Sequence, residues 1–127
     1  MEYESMKKLI LILSPFIILA GCNKMSENNI VKDINHHEFK LESNHKITIG
    51  FDNSSVFGSA GVNRYMGSYT IKDNKISFSQ MGTTMMMGLE EDMDNETAYL
   101  KSLSDNLSIS YENNILTIGD NKFILVK

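Results

Sequence analysis

Few residues of this chain have side chains that could do chemistry. Its three histidines are His36, His37 and His45, and imidazole is a common metal ligand and acid–base group near neutral pH. A zinc site needs three or four convergent ligands, whereas neighbours on a strand, such as His36 and His37, point to opposite faces. We therefore predict solvent-exposed histidines and no metal site.

A second set of candidate side chains is a methionine cluster: Met81, Met85, Met86 and Met87. Methionine fills irregular gaps in a core and also forms adaptable binding surfaces, and its thioether is a soft ligand for Cu(I). Three interpretations follow. The first is core packing, the second is a hydrophobic docking surface formed by Met85, Met86 and Met87, and the third is a copper site.

Catalytic motifs are missing from the sequence. The segment at residues 58–61 reads Gly-Ser-Ala-Gly and lacks the Gly-x-Ser-x-Gly nucleophile elbow. The chain has no phosphate-binding glycine loop and no His-Glu-x-x-His. The acidic run at residues 90–94 begins a predicted helix, where the helix dipole favours anions. We therefore expect a protein that is not an enzyme and that needs no cofactor.

The one cysteine, Cys22, follows a segment typical of export. Residues 6–8 read Met-Lys-Lys, and residues 9–20 form an apolar run, which together have the pattern of a signal peptide. As a helix, at about 1.5 Å per residue, this run is well short of the ~30 Å hydrocarbon core of a bilayer. Two acids precede the basic pair, which is unusual for this part of a signal peptide and favours Met6 over Met1 as the translation start.

The residues before Cys22 resemble the bacterial lipobox. Leu19, Ala20 and Gly21 supply its aliphatic residue and its two small residues, and the cysteine of a lipobox receives a diacylglyceryl thioether and becomes the mature N-terminus. Two or three acyl chains are enough for stable anchoring. We predict a lipoprotein signal peptide over 1–21 and a cell-envelope protein anchored by lipid to a membrane, in the periplasm or on the outer surface.

The rest of the chain is expected to divide into a tether and one domain. Residues 22–35 are polar without a sustained period, which predicts a flexible coil reaching roughly 20 Å. Residues 36–127 are enough for one small domain. The net charge of −4 and the absence of a basic stripe argue against nucleic acid. The expected partners are the membrane and an unidentified envelope protein.

Alternating apolar and polar residues predict short antiparallel strands joined by tight turns. We expect them at 37–41, 46–52, 56–57, 65–71, 76–79, 107–111, 115–118 and 122–126, with the alternation broken at 80–88. The stripe Leu89, Met93, Leu100 and Leu103 predicts one helix over 89–103. The fold class is therefore α+β and mostly antiparallel β: a curled sheet or half-barrel of about seven or eight short strands, with the helix over one opening.

The stretch 58–71 organises this predicted sheet. Glycine reaches positive φ without a Cβ clash, so Gly61 suits a turn, and the side chain of Asn63 can hold a tight bend. Gly67 lies between two tyrosines on one face of the following strand, where a glycine indicates a bend or a close approach. We expect a barrel corner there, with a ligand close to the bare backbone as the alternative.

Taken in order, these features resemble the META domain (HslJ-like) family over residues 35–127. The family motif Gly-Cys-Asn-x-Tyr/Phe-x-Gly-x-Tyr is matched by Gly61, Asn63, Tyr65, Gly67 and Tyr69. The motif Thr-x-Met-x-Cys is matched by Thr84 and Met86, which favours packing for that methionine. The helix pattern Glu-x-x-Tyr/Phe-Leu-x-x-Leu is matched by Glu96, Tyr99, Leu100 and Leu103.

Two cysteines that are common in these motifs are replaced here by Val62 and Gly88. Because both positions change together, we expect them to be close in space, and no redox or disulfide role can operate there. Phe39 stands where the family commonly has tryptophan.

The resemblance implies a small β-rich fold, often secreted or lipid-anchored, linked to heat shock, envelope stress and drug tolerance, without an established catalytic activity. The expected function is therefore a stress-linked binding module. The alternative is a barrel that holds a small apolar ligand, with Met85, Met86 and Met87 at its entrance; such a site needs a connected cavity of ~300 Å³ or more.

Overall fold

The computed structural model describes residues 27–126. Within that range it contains two helices and eight strands, in the order α1 (Glu27–Ile34), β1 (Glu38–Leu41), β2 (Asn44–Asp52), β3 (Ser55–Ser59), β4 (Arg64–Lys72), β5 (Lys75–Thr83), α2 (Glu90–Ser102), β6 (Leu107–Glu112), β7 (Ile115–Ile118) and β8 (Asn121–Leu125). Each predicted strand has a counterpart in this series.

The strands form a closed antiparallel barrel. Each strand pairs with the next one along the chain, and β8 returns to β1, where Phe39 faces Leu125. The mostly antiparallel α+β fold is confirmed, and the curled sheet is a complete barrel rather than a half-barrel. Closure turns the apolar face of every strand toward one interior.

Turn residues in the left-handed region set the hairpins. Asp73 and Asn74, between β4 and β5, have φ of 55° and 60°, and Asn113 and Asn114, between β6 and β7, have φ of 54° and 64°. Asparagine and aspartate tolerate this region better than other non-glycine residues. Two-residue turns of this kind match the twist of the flanking strands, so these side chains help to fix the register.

Aromatic and aliphatic side chains fill the interior of the barrel. The largest fully buried ones are Tyr65, Phe39, Phe51, Phe123, Ile34, Ile47, Ile49, Ile76, Leu116, Ile118 and Val56. Their rings meet edge to face: the centroids of Phe39 and Phe51 are 6.3 Å apart, and those of Phe51 and Tyr69 are 5.1 Å apart. Edge-to-face pairs are favourable beyond the area that they bury.

Helix α2 covers the opening of the barrel at which β4 begins. The ring of Tyr99 lies 5.7 Å from that of Tyr65 and 6.3 Å from that of Phe123. The predicted helix is confirmed to within one residue at each end, but its predicted buried stripe is partly wrong. Leu89 is exposed, whereas Glu96 and Tyr99 are buried, because hydrogen bonds to Glu96 set the rotation of the helix.

Helix α1 closes the opposite opening. Ile30 and Ile34 lie one turn apart and are both buried, and the N–H of His36 donates to the carbonyl of Phe51, near the end of β2, at 2.8 Å. The prediction of a flexible coil over 22–35 is therefore wrong for α1, which belongs to the folded domain. An eight-residue helix is marginal on its own and is stabilised by packing, although Ile30 and Ile34 recur at helical spacing in its sequence.

Strand β5 extends beyond its predicted end. Gln80 has φ of 53°, and the register with β4 shifts on either side of Gly67, so a bulge accounts for the broken alternation. A Cβ at Gly67 would collide with Sδ of Met81. The predicted bend is thus present, and a methionine, rather than a ligand, packs over the bare backbone.

Neither helix in the range 27–126 combines the length and the apolar character needed to cross a membrane. The predicted signal peptide and Cys22 lie outside the described residues.

If α1 is part of the core, truncating one of its buried side chains must lower the stability of the whole barrel. We expect Ile34→Ala to lower the free energy of unfolding by about 2–5 kcal/mol, the usual range for removing a buried isoleucine. The matched control is Lys32→Ala, an exposed position on the same helix, with an effect of about 0.5 kcal/mol or less. Urea unfolding followed by circular dichroism measures both, and equal midpoints for the two variants would contradict the assignment.

Candidate functional site

The methionine loop, defined as residues 84–89, carries the most exposed large apolar side chains among the described residues. Met85 is 90% exposed, Met86 60%, Met87 85% and Leu89 74%. Contiguous exposed apolar side chains are uncommon on monomeric proteins and mark interaction sites. The core-packing interpretation is therefore wrong for Met85, Met86 and Met87, although it holds for Met81, which packs against the core.

Asn63 holds this loop from the barrel side. Its Oδ1 accepts hydrogen bonds from the N–H of Met86 at 2.5 Å and from the hydroxyl of Thr84 at 2.8 Å. Its Nδ2 donates to the carbonyl of Met86 at 3.1 Å. Thr84 is fixed further because its hydroxyl oxygen accepts from the N–H of Arg64 at 3.1 Å. The backbone of the loop is thus anchored while its apolar side chains stay outside.

Glu96 of α2 binds Asn63 from the opposite side. Nδ2 of Asn63 donates to Oε2 at 2.7 Å, and the N–H groups of Asn63 and Val62 donate to Oε1 at 2.7 and 3.0 Å. The amide of Asn63 has its two donor and two acceptor sites paired. A carboxylate that is only 6% exposed needs such partners, because an unpaired buried charge is costly.

The same contacts keep Glu96 ionised. Burial raises the pKa of a carboxyl group, but the hydrogen bonds from Asn63 and Val62 outweigh it and lower the pKa of Glu96 from its ordinary value. Charge-assisted hydrogen bonds of this kind are stronger than neutral ones. The turn at Val62 and Asn63 is therefore joined to α2 through one ionised carboxylate and to the methionine loop through the amide of Asn63.

Two tyrosines join α2 to the barrel beside this network. The hydroxyl of Tyr65 donates to the carbonyl of Thr48 at 2.7 Å and lies 2.6 Å from the hydroxyl of Tyr99. Burial raises the pKa of Tyr65 and of Tyr99 above the ordinary tyrosine value. An acid–base catalyst works best with a pKa near the operating pH, so this pair supports the fold rather than proton transfer.

The turn before Asn63 brings the sequence motifs together. Gly61 has φ of 124°, and a Cβ there would stand 3.6 Å from the carbonyl oxygen of Asp92 on α2. A Cβ at Gly88 would lie 2.7 Å from Cγ2 of Val62. The expectation that these two substituted cysteine positions are neighbours is therefore confirmed.

Two of the motif residues lie away from the loop. The ring of Tyr69 packs against Phe51 inside the barrel. Burial raises the pKa of its hydroxyl, and this hydroxyl is buried without a hydrogen-bond partner among the described residues. Leu100 lies on α2 and packs against the core. Both are packing positions in this fold.

The histidines do not converge. Nδ1 of His36 lies 3.4 Å from a carboxylate oxygen of Asp52 at the α1 end of the barrel, whereas His45 is exposed near the start of β2, at the α2 end. Within residues 27–126, no cluster of three or more His, Cys, Asp or Glu side chains is arranged to hold a metal ion.

A groove of about 200 Å³ runs beside the methionine loop. Its lining comprises Asn63, Thr83, Thr84, Met85, Met86, Met87, Met93 and Glu96. The carboxylate in this lining is already engaged by Asn63 and Val62. The groove thus offers flexible apolar contact on a fixed backbone, and it can bind an apolar group without a free acid or base to act on it.

The contact between Asn63 and Glu96 does not follow from the sequence. Both residues match family motifs, but 33 positions separate them, and no local pattern indicates that they touch. The ion pair of Lys46 with Asp92, at 3.1 Å, is missed for the same reason. Besides the motif, the local signal for Glu96 is that it stands three residues before Tyr99, on the same side of the helix.

The fold and the site together define a small closed antiparallel barrel with a helix at each opening and an exposed methionine loop. The family model of the META domain matches residues 29–125, and the chain therefore belongs to the META domain family. This confirms the resemblance found in the sequence. No catalytic activity is known for the family.

The fold is also similar to two structures determined by NMR. One is a protein from Burkholderia xenovorans, with a TM-score of 0.60 and 23% identity, covering 76% of this chain and 86% of that chain. The other is a protein with a TM-score of 0.61 and 18% identity, covering 74% of this chain and 92% of that chain. These likenesses concern the fold alone. A search of curated protein sequences gives no match.

The lowered pKa of Glu96 predicts an acid-dependent stability. Because its pKa is lower in the folded state, the carboxylate stabilises the fold above its ordinary pKa of 4.5, and this stabilisation is lost as the pH falls below that value. We expect Glu96→Gln to lower the free energy of unfolding at pH 7 by about 1.5–3 kcal/mol, and by much less near pH 3. Urea unfolding across this pH range measures the difference between wild type and variant.

The matched control is Glu91→Gln, an exposed carboxylate on the same helix, with little effect at either pH. An equally large deficit for Glu96→Gln at pH 3 and pH 7 would contradict the role of the ionised carboxylate.

The proximity of residues 62 and 88 predicts that a disulfide can be introduced. A Cβ at Gly88 would lie 3.5 Å from that of Val62, within the ~3.5–4.5 Å range of disulfides. We expect Val62→Cys/Gly88→Cys to oxidise within the monomer and to gain about 2–4 kcal/mol over its reduced form. Mass spectrometry and thiol titration check the bond, with Val62→Cys alone as the control. Two thiols left free under oxidising conditions would contradict the geometry.

Proposed function

We propose that this protein is a non-enzymatic, lipid-anchored protein of the bacterial cell envelope that binds a protein partner through its methionine loop. The observation that carries the proposal is the exposure of Met85 and Met87, at 90% and 85%, on a backbone that is held in place. Methionine-rich surfaces adapt to varied apolar partners.

The hydrogen bonds beneath the loop support a binding role. The side chain of Asn63 makes two hydrogen bonds to the backbone of Met86, so the loop does not have to be ordered when a partner arrives. Pre-organisation of this kind improves affinity because less conformational entropy is lost on binding. The methionine side chains keep the rotameric freedom needed to fit the partner.

The membrane anchor is supported by the sequence. Leu19, Ala20 and Gly21 before Cys22 resemble a lipobox, and the proposed location, in the periplasm or on the outer surface, follows from it. We also propose a role in heat shock, envelope stress or drug tolerance. Membership of the META domain family supports this role.

A small apolar ligand inside the barrel is the alternative, and the packing weighs against it. Eleven large side chains of the described region are fully buried, and their rings are in edge-to-face contact. The cleft between α2 and the turn from β1 to β2 has a volume of about 280 Å³ and is open to solvent. The methionines accordingly line an outer groove rather than the entrance to an interior cavity.

One experiment in cells tests both parts of the proposal. The full-length chain carries a photoreactive amino acid in place of Met87, and the cells are fed a fatty-acid probe. We expect the chain to incorporate the probe, and irradiation to give a cross-linked species that mass spectrometry identifies as the same envelope protein in repeated experiments.

Two matched controls make the result specific. Cys22→Ser should not incorporate the probe, and equal labelling of that variant would remove the anchor. The photoreactive residue at Ile115, which is 40% exposed and lies on β7, should give no such product. Cross-linking from both positions, or from neither, would remove the methionine loop as the docking site.

A further inference from the structure

The methionine loop lies at the opposite end of the barrel from α1. The loop follows Thr83, which pairs with Tyr65 at the start of β4. Helix α1 lies where β4 ends, since Ile30 and Asn74 of the turn after β4 line one cleft. The nine residues of β4, at about 3.3 Å each and tilted as barrel strands are, separate the two ends by roughly 20–25 Å.

The chain enters the domain at the α1 end. Five peptide steps join Cys22 to Glu27, the first residue of α1, and a fully extended chain of that length spans at most about 17 Å. An acylated Cys22 therefore keeps the α1 end close to the bilayer. When the barrel stands upright on that end, the methionine loop lies roughly 20–25 Å farther from the anchoring membrane than α1 does.

The side of α2 that lies next to the methionine loop carries a negative charge. Glu90 precedes Met93 by three residues, so both lie on the same side of the helix, and Met93 lines the groove of the methionine loop. Glu91 shares its side of α2 with Asn95 and Ala98, which line the separate cleft toward β2. Glu90 is exposed and follows Leu89, the last residue of the methionine loop. The exposed Arg64 lies at the other end of the loop, where its N–H donates to the hydroxyl of Thr84.

We propose that the methionine loop receives an apolar segment of a partner protein that carries a lysine or arginine beside its apolar residues. The apolar residues pack on Met85 and Met87, and the basic side chain lies against Glu90. This inference rests on the proposed function and deepens it, because it names the chemistry of the partner and the side from which the partner approaches.

Two other occupants fit the same surface less well. The anchoring bilayer lies at the α1 end of an upright barrel, and an anionic bilayer would also meet the repulsion of Glu90. A second copy of this chain, in a two-fold contact centred on Glu90, would bring two like charges together, and like charges oppose each other.

A peptide-binding experiment tests whether the partner carries a positive charge that pairs with Glu90. The full-length protein, purified from envelopes and placed in neutral-lipid nanodiscs, is titrated into two fluorescent peptides with the same leucine-rich centre, one flanked by lysines and one by glutamates. We expect the lysine peptide to bind several-fold more tightly at low salt, and Glu90→Gln to weaken it roughly two- to fivefold, as for an exposed ion pair. High salt should remove the difference.

Glu91→Gln is the matched control, since it changes the net charge equally on the other side of the helix. An equal effect of the two variants, no effect of Glu90→Gln, or no binding of the lysine peptide would overturn the proposed partner chemistry. In any of these cases a cross-link from residue 87 in cells would still stand, so the failure of this inference is distinguishable from failure of the proposed function.

Quenching of a fluorophore by brominated lipid tests how the barrel is oriented relative to the bilayer. Cys22 is the only cysteine and is blocked when acylated, so Lys32→Cys on α1 and Met87→Cys in the loop each provide a unique site for a fluorophore. We expect quenching at residue 32 and not at residue 87. Quenching at residue 87 would make the bilayer the occupant. Dimerisation in ultracentrifugation that Met87→Ser abolishes would make it a second copy.

Discussion

The hydrogen bonds between Asn63 and Glu96 are the constraint on which this end of the molecule depends. One carboxylate accepts from the amide of Asn63 and from the N–H groups of residues 62 and 63, while the same amide holds the backbone of Met86. Helix, turn and loop are therefore fixed through two side chains. Because both are buried, removing either one leaves polar groups without partners in a dry environment, which is costly.

A rigid base explains how the protein can display methionines. An exposed apolar loop on a mobile backbone would collapse onto the nearest hydrophobic surface, but here the interior has no space for it. Phe39, Phe51 and Phe123 are fully buried, and α1 and α2 cover the two openings. The methionine loop is thus held outside, where its side chains meet other molecules rather than the core.

Much of the barrel could be predicted from local signals. The alternation of apolar residues places the strands, and residues such as Asn74 and Asn114 in the left-handed region place the hairpins, because these features act over a few residues. Helix α1 has the helical spacing of Ile30 and Ile34 in its sequence, but eight residues are too few to predict a stable helix from local pattern alone. Its eight residues form a stable helix only because Ile30 and Ile34 find a buried site at the barrel opening, and that site is built by strands distant in sequence.

The sequence by itself determined the antiparallel sheet, its turns, the position of α2 and the family motifs, since periodicity and turn chemistry are properties of neighbouring residues. The resemblance to the META domain family added the expectation that Val62 and Gly88 are close in space. Only the tertiary structure decided that the sheet closes, that Glu96 turns inward while Leu89 turns outward, and that Met85, Met86 and Met87 are exposed. These features depend on contacts between residues more than twenty positions apart, and local patterns do not record such contacts.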